Sequence, residues 1–519
     1  MVRKWRWRLA LVVTAALLIA GCTGGPSGSP AGTEQGSAQP RSGGTLTVLN
    51  QAETQGINPT KMGVIITTTR GEGLAGFALF GGLVFQDPAT GKLEMSMAES
   101  VESTDNVTWT VTLRPGLVFS DGTPLDAAAV KFNWELHGAP GSTSFALPAV
   151  QAMAAINLVD ARTLQVVLKA PNGQWPRSLA TYAIDFIASP QSLMSTPDAP
   201  VGAGPFVLKE WLRDDHMTLV RNPRYFDAPR PYLDELVIRP VPDTQQRYNA
   251  LVSGQGEIMH DSVDFRIAAT AADAGYQVFT TTIGGGQGFV LNNARAPFND
   301  VRARKAVQLG LDLDLLNELS QGGKANLARS FAAPGTPFYD GDTFPPTNKA
   351  EAQKLFDEVA ADTGAPVRFT ILTVPRTRPT AEGIQTLLSE YKNVEVSVQT
   401  MNATQSTVVQ GDYDMGINGY FLADPDPSLF DGFSSTSSRN ISRYSNPVVD
   451  AALVKGREAS EEADRKDAYV TVDRALGEDV PFLPLWRLPS SMMSTSGVHG
   501  VSTIADGLLR VDLVWRDGP

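Results

Sequence analysis

Residues 83–135 read LVFQDPATGKLEMSMAESVESTDNVTWTVTLRPGLVFSDGTPLDAAAVKFNWE. Asp87-Pro88-Ala89-Thr90-Gly91 is turn chemistry, set between Leu83-Val84-Phe85 and Leu93. Val107, Trp109, Val111 and Leu113 alternate with Thr108, Thr110 and Thr112, the period of a half-buried strand. Arg114-Pro115-Gly116 breaks that strand, and Leu117-Val118-Phe119 predicts another that stops at Ser120-Asp121-Gly122. Thr123 then offers an N-cap with Pro124 at the first helical position. Leu125, Ala129, Phe132 and Leu136 follow at helical spacing. The stretch reads as a β-β-β-α unit.

The string Trp109-Thr110-Val111-Thr112-Leu113-Arg114-Pro115-Gly116-Leu117-Val118-Phe119-Ser120-Asp121-Gly122-Thr123-Pro124-Leu125 also carries a resemblance. It is similar to the "W-x-F-x-L-R-x-G-V-x-F-x-D-G-x-P-hydrophobic" segment of the family 5 extracellular solute-binding proteins, the large peptide-type binding subunits of ABC importers. Val201-Gly202-Ala203-Gly204-Pro205-Phe206, followed by Leu219, Asn222 and Tyr225, resembles that family's "GTGPY…L-x-x-N-x-x-Y" block. The likeness spans nearly all of residues 43–519. It implies an α/β, two-lobed, periplasmic-binding-protein type II-like fold with an extra subdomain in the first lobe. The expected plan is lobe I at 43–285 (extra subdomain about 76–199), lobe II at 286–488, and a return to lobe I at 489–519.

Upstream, Arg3, Lys4, Arg6 and Arg8 precede apolar or small residues 9–20, a signal peptide too short for a good membrane span. Ile19-Ala20-Gly21-Cys22 matches the bacterial lipobox, and Cys22 is the single cysteine of the chain. Residues 1–21 are therefore expected to be removed, with Cys22 lipidated. The opposing reading is an ordinary secretory signal with an incidental cysteine. Residues 22–42 hold no large apolar side chain after Cys22 and read as a disordered tether.

The 519-residue chain carries a formal charge of −12, and loss of the four basic residues in 1–21 takes it to −16. That charge opposes nucleic-acid binding. The length exceeds one core and predicts two or more lobes.

Gly71-Glu72-Gly73-Leu74-Ala75-Gly76 fits G-x-G-x-x-G, but nucleotide binding needs a preceding strand and an acidic residue on a second parallel strand. A loop is the better reading. Ile283-Gly284-Gly285-Gly286-Gln287-Gly288 reads as a loop before a strand at 289–292. The resemblance makes it the first crossover between lobes, with Gly284, Gly285, Gly286 and Gly288 as the hinge. Beyond it, Asn299 or Asp300 caps a helix, and Gly322-Gly323 stops the helical region that follows. Strands at 369–374 and 394–399 flank a helix near 384–391, an order that implies a parallel, doubly wound sheet. A strand at 413–420, a helix at 460–477 and a return crossover at 480–486 follow.

The inventory of residues disfavours an enzyme. The four histidines, His137, His216, His260 and His499, form no H-E-x-x-H and no ligand spacing, and neither a G-x-S-x-G elbow nor a Walker A loop occurs. No cofactor and no metal is expected. Asp424, Asp426 and Asp431 suggest calcium, but Pro425 and Pro427 spoil the ligand register and leave solvated turn carboxylates.

A cleft between lobes suits a small solute. Phe289, Tyr420, Phe421 and Trp486 are candidate walls, each weighed against burial in a lobe core. Arg487, with Arg376 and Arg378, is a candidate partner for an anionic group. In peptide-binding members of the family, an aspartate after the 413–420 strand pairs with the ligand's α-amine. Alignment on Asp426-Pro427 puts Ala423 there, with Asp424 adjacent as a possible replacement. The expectation is a monomeric, extracytoplasmic, lipid-anchored receptor that passes a solute, a di- or oligopeptide first, to permease and ATPase subunits. The rival readings are a receptor for an oligosaccharide, metal complex or opine-like metabolite, a sensing lipoprotein, and an exported hydrolase.

Overall fold

The computed structural model describes residues 39–62, 72–88, 90–261, 264–282, 284–401, 405–487, 489–505 and 507–518. The signal segment, Cys22, most of the tether, Gly71, Ala89 and Ile283 lie outside these.

Thr45–Asn50 is a short strand whose apolar residues Leu46, Val48 and Leu49 are all buried. It runs parallel to Glu235–Pro240 on one side and to Ile258–Asp261 on the other. These three form the middle of a seven-stranded sheet, completed by His216–Arg221 and Phe206–Leu212 at one edge and by Pro489–Ser494 and Gln277–Thr282 at the other.

A second, six-stranded sheet has the order Asn326–Leu327, Phe482–Arg487, Gly284–Leu291, Met415–Leu422, Val367–Thr373, Val394–Thr400. Val367–Thr373 is parallel to both its neighbours, with helix Arg378–Leu388 between it and Val394–Thr400, the expected β-α-β order. The sheet is mixed, however. Gly284–Leu291 runs antiparallel to both Met415–Leu422 and Phe482–Arg487. The chain passes between the two sheets twice, from Thr282 to Gly284 and from Arg487 to Pro489. The result is a two-lobed α/β fold of the periplasmic-binding-protein type II kind.

The opening stretch belongs to a four-stranded antiparallel sheet in the first lobe, ordered Ala98–Ser103, Thr108–Leu113, Thr163–Leu168, Met153–Leu158. Trp109, Val111 and Leu113 are buried on one face, as the alternation predicts. Two expectations fail here. Residues 117–119 form no strand, only a bridge between Val118 and Pro124. Helix Ala127–His137 starts later than predicted, because Asp121 binds both the Thr123 amide (2.8 Å) and its hydroxyl (2.6 Å), so Asp126 caps instead by accepting from Ala129 N at 2.9 Å.

The loop expected at 71–76 is also corrected. Glu72–Phe80 is a helix with every residue buried, and Gly76 lets it lie against the Phe186 ring, where a β-carbon would collide. Likewise the glycine run is strand rather than loop: all eight residues of Gly284–Leu291 are buried. In the second lobe Asp300 caps Val301–Gly310, and left-handed Gly322 ends Leu313–Gln321. Among the described residues no helix is long and apolar enough to cross a membrane.

Candidate functional site

Strand Met415–Leu422 ends at the lobe boundary and delivers Leu422, Ala423 and Pro425 into a cleft. Facing them from the first lobe are Pro88 and Thr90, on the turn that Asp87 closes by accepting from the Thr90 amide at 2.7 Å. Phe331–Phe338 supplies one wall and Leu429 another. Helix Glu462–Asp479 brings Arg465, Tyr469 and Asp473 to one face at spacings of four, and the last two line the cleft.

Asp473 is buried and accepts from Phe331 N (3.0 Å), Ala332 N (3.3 Å) and Thr343 Oγ1 (2.8 Å). Burial holds its carboxyl above the usual range, and these donors pull it part of the way back. Tyr469 is 2% exposed, and its hydroxyl has no partner among the described residues. Burial, then the carboxylates of Asp426 and Asp424, push its pKa well up, so the phenol keeps its proton.

Beside the cleft the lobes touch through polar contacts. Arg177, on helix Trp175–Thr181, places Nε 3.3 Å from Asp424 Oδ2 and donates through Nη1 to the Gly91 carbonyl. Asp424 Oδ1 meets Arg465 Nη2 at 2.5 Å, and Asp426 Oδ2 meets Arg457 Nε at 2.8 Å. The Tyr182 hydroxyl donates to Asp431, whose carboxylate lies 3.8 Å from Arg439 Nε. Burial raises the pKa of both Tyr182 and Asp431. Five further bonds cross: Gly173 N to Arg457 O (2.9 Å), Gln174 Nε2 to Ala459 O (3.1 Å), Arg439 Nη1 to Phe145 O (2.8 Å), and Asn106 Nδ2 to both Glu458 O (3.2 Å) and Ser460 Oγ (3.4 Å).

Residues 92–440 match the bacterial extracellular solute-binding proteins, family 5 Middle. The chain belongs to this family. It is 24% identical over 494 residues to the periplasmic oligopeptide-binding protein OppA of Salmonella typhimurium, covering 88% of this chain and 89% of that one. Its fold superposes on the periplasmic binding protein DppA of Helicobacter pylori in complex with the peptide STSA, with TM-score 0.81, 22% identity, and coverage of 92% and 99%. It superposes equally on AgaA of A. tumefaciens R10 in complex with agropinic acid, with TM-score 0.81, 23% identity, and coverage of 92% and 99%.

The sequence-predicted site residues of this family 5 protein are scattered. Phe289 and Trp486 lie in the core of the second lobe, 0% and 1% exposed, and neither lines the cleft. Tyr420 is buried among Phe433 and Phe482, ring centroids 4.8 and 4.9 Å away. Phe421 is half-buried and packs against the Phe289 core. Arg487 faces no open space: it donates to the carbonyls of Ser330 and Ala332 at 3.0 and 2.9 Å, bracing the segment that walls the cleft. Arg378 is paired with Glu382.

Asp424, Asp426 and Asp431 are not the solvated turn carboxylates expected from the sequence; all three are largely buried and paired with arginines. Among the described residues no group of three or more His, Cys, Asp or Glu is arranged to hold a metal. Tyr469 and Asp473 were missed. Their spacing with Arg465 along a long helix is the one signal that was available.

Proposed function

We propose that this protein is the solute receptor of an ABC importer. It takes a peptide-like solute into the cleft and delivers it to permease and ATPase subunits. One observation carries the reading. The cleft is walled by Pro88 and Thr90 from one lobe and by Phe331–Phe338, Leu422, Ala423 and Pro425 from the other, so a solute held there touches both. Contacts made to two lobes at once favour the closed state by their differential affinity, which is how a binding protein signals occupancy without catalysis. The peptide named with DppA and the oligopeptides named for OppA support the peptide-like class.

In this reading lobe I spans 43–285 and 489–519, and lobe II spans 286–488. Lipid on Cys22 holds a monomer at the outer face of the bacterial membrane. A non-peptide solute of opine type is the second reading, favoured by the two arginines on Asp424 and by the likeness to AgaA.

The test is mass spectrometry of solute carried through purification, followed by solution scattering of the emptied protein with and without it. A peptide or acylated amino acid that compacts the protein is the expected result. Tight binding of a solute with no compaction refutes closure, and a co-purified sugar or metal complex refutes the peptide-like class.

A further inference from the structure

The charges around the cleft narrow the class of solute, given that the cleft is the solute site. At the lobe contact three carboxylates of the second lobe each face a guanidinium: Asp424 with Arg465, Asp426 with Arg457, Asp431 with Arg439. That set is neutral on its own. The first lobe adds Arg177, 3.3 Å from Asp424, so the contacting lobes hold four guanidinium groups against three carboxylates. Asp424 also accepts the Asp426 amide at 3.0 Å, which leaves its oxygens engaged on every side.

Among the described lining residues the single charged side chain is Asp473, and it is occupied by two backbone amides and the Thr343 hydroxyl. The remaining walls are mostly apolar, with Phe331, Phe338, Leu422 and Leu429 the largest. An ammonium brought into this space has to displace an arginine to pair with Asp424, Asp426 or Asp431, or compete with the three donors already on Asp473. Burying it unpaired is the costlier alternative. What the lining does offer is a donor, the buried Tyr469 hydroxyl with no partner among the described residues. A buried donor of this kind is satisfied by a carbonyl or carboxylate oxygen.

We infer that the cleft selects solutes without a cationic nitrogen: amine-blocked peptides or acylated amino acids, with an apolar side chain and an oxygen acceptor for Tyr469. Arg177 enforces the choice by closing on Asp424 from the opposite lobe.

The experiment compares two panels on the purified full chain, stripped of solute by unfolding and refolding. One panel is mixed-sequence di- to pentapeptides with free amines, the other the same peptides N-acetylated, and binding is read by calorimetry. The acetylated panel is expected to bind at least about tenfold more tightly, the scale of one charge-assisted hydrogen bond. Arg177→Gln, which releases one side of Asp424, should shrink that ratio at least about fivefold, and Tyr469→Phe should weaken the acetylated panel. Free-amine peptides binding as well as or better than acetylated ones overturn the inference while leaving the receptor reading intact. An unchanged ratio in a folded Arg177→Gln also overturns it. Binding by neither panel removes the peptide-like reading and this inference with it. If Arg177→Gln does not fold, the ratio in the unaltered protein decides alone.

Discussion

A β-carbon placed on Gly285 would stand closer than 3.0 Å to the carbonyl oxygen of Tyr420 on the adjacent strand. Gly285 also has φ +76°, a conformation that costs a residue with a side chain about 1–2 kcal/mol. Gly286 and Gly288 are held in the same way by the carbonyls of Trp486 and Leu483. Gly285→Ala is therefore expected to lower stability by more than about 2 kcal/mol, strain and displacement combined. Denaturant midpoints check this. An unchanged midpoint with weakened solute affinity would instead favour the hinge role that the glycine run suggests in the sequence.

The Tyr182 hydroxyl joins the lobes at Asp431. Removing it with Tyr182→Phe leaves both lobes intact, since Tyr182 and Asp431 belong to different lobes. The lost bond to a buried carboxylate is worth about 1.5–3 kcal/mol, so solute affinity should fall roughly tenfold or more. Solution scattering of the solute-free variant should show a larger radius of gyration. The same radius and affinity as the unaltered protein would show that this bond plays no part in closure.

What the sequence made legible was local. The strand at 108–113 was readable because a period of two survives without any knowledge of its partners. The cap at Thr123 misled because its neighbour Asp121 competes for the same hydroxyl, a side-chain choice that residue types alone leave open. The cleft was harder still. Arg177 and Asp424 stand far apart in the chain and on different lobes, and a buried, paired aspartate has the same letter as a solvated one. Trp486 and Phe289 look like cleft walls in sequence because aromatic residues at strand crossings serve cores and ligands alike.

His137 is completely buried, its Nδ1 2.6 Å from Ser144 Oγ, and burial lowers its pKa from 6.5 to about 4. Between those values the unfolded chain binds a proton that the folded chain does not. Stability therefore rises with pH from about 4 to 6.5, and this contribution is lost as pH falls through that window. The shift corresponds to about 3 kcal/mol at most. His137→Gln should flatten the pH dependence of the midpoint between pH 4 and 6.5 relative to the unaltered protein. Buried Asp431 and Asp473, with raised pKa values, act in the opposite sense in both proteins and cancel in the difference. Parallel curves for the two proteins would refute the assignment.

Anchoring through Cys22 is tested by Cys22→Ala, because no other cysteine in the chain can carry the lipid. The variant is expected to leave the membrane fraction or to remain unprocessed, and to take up no labelled fatty acid. Membrane retention with normal processing and acyl labelling would refute lipidation at this residue.

Asp424 separates a structural role from a ligand-binding one. Its carboxylate neutralises Arg465, which is 6% exposed and lies within the same lobe, so this pair forms whether or not the lobes close. Asp424→Asn strands that guanidinium, and breaking a buried pair by removing one partner typically costs about 3–5 kcal/mol. The loss should appear in the solute-free protein. Removing the stranded charge as well, in Asp424→Asn with Arg465→Met, should recover part of it, with a coupling of about 1 kcal/mol or more in a double-mutant cycle. Arg177 behaves differently because it belongs to the other lobe: Arg177→Gln should leave the midpoint of the solute-free protein nearly unchanged and shift closure instead. If Asp424→Asn kept its stability yet lost affinity for free-amine peptides, the carboxylate would be serving an incoming ammonium, and the arginines around it would be partners that the solute displaces.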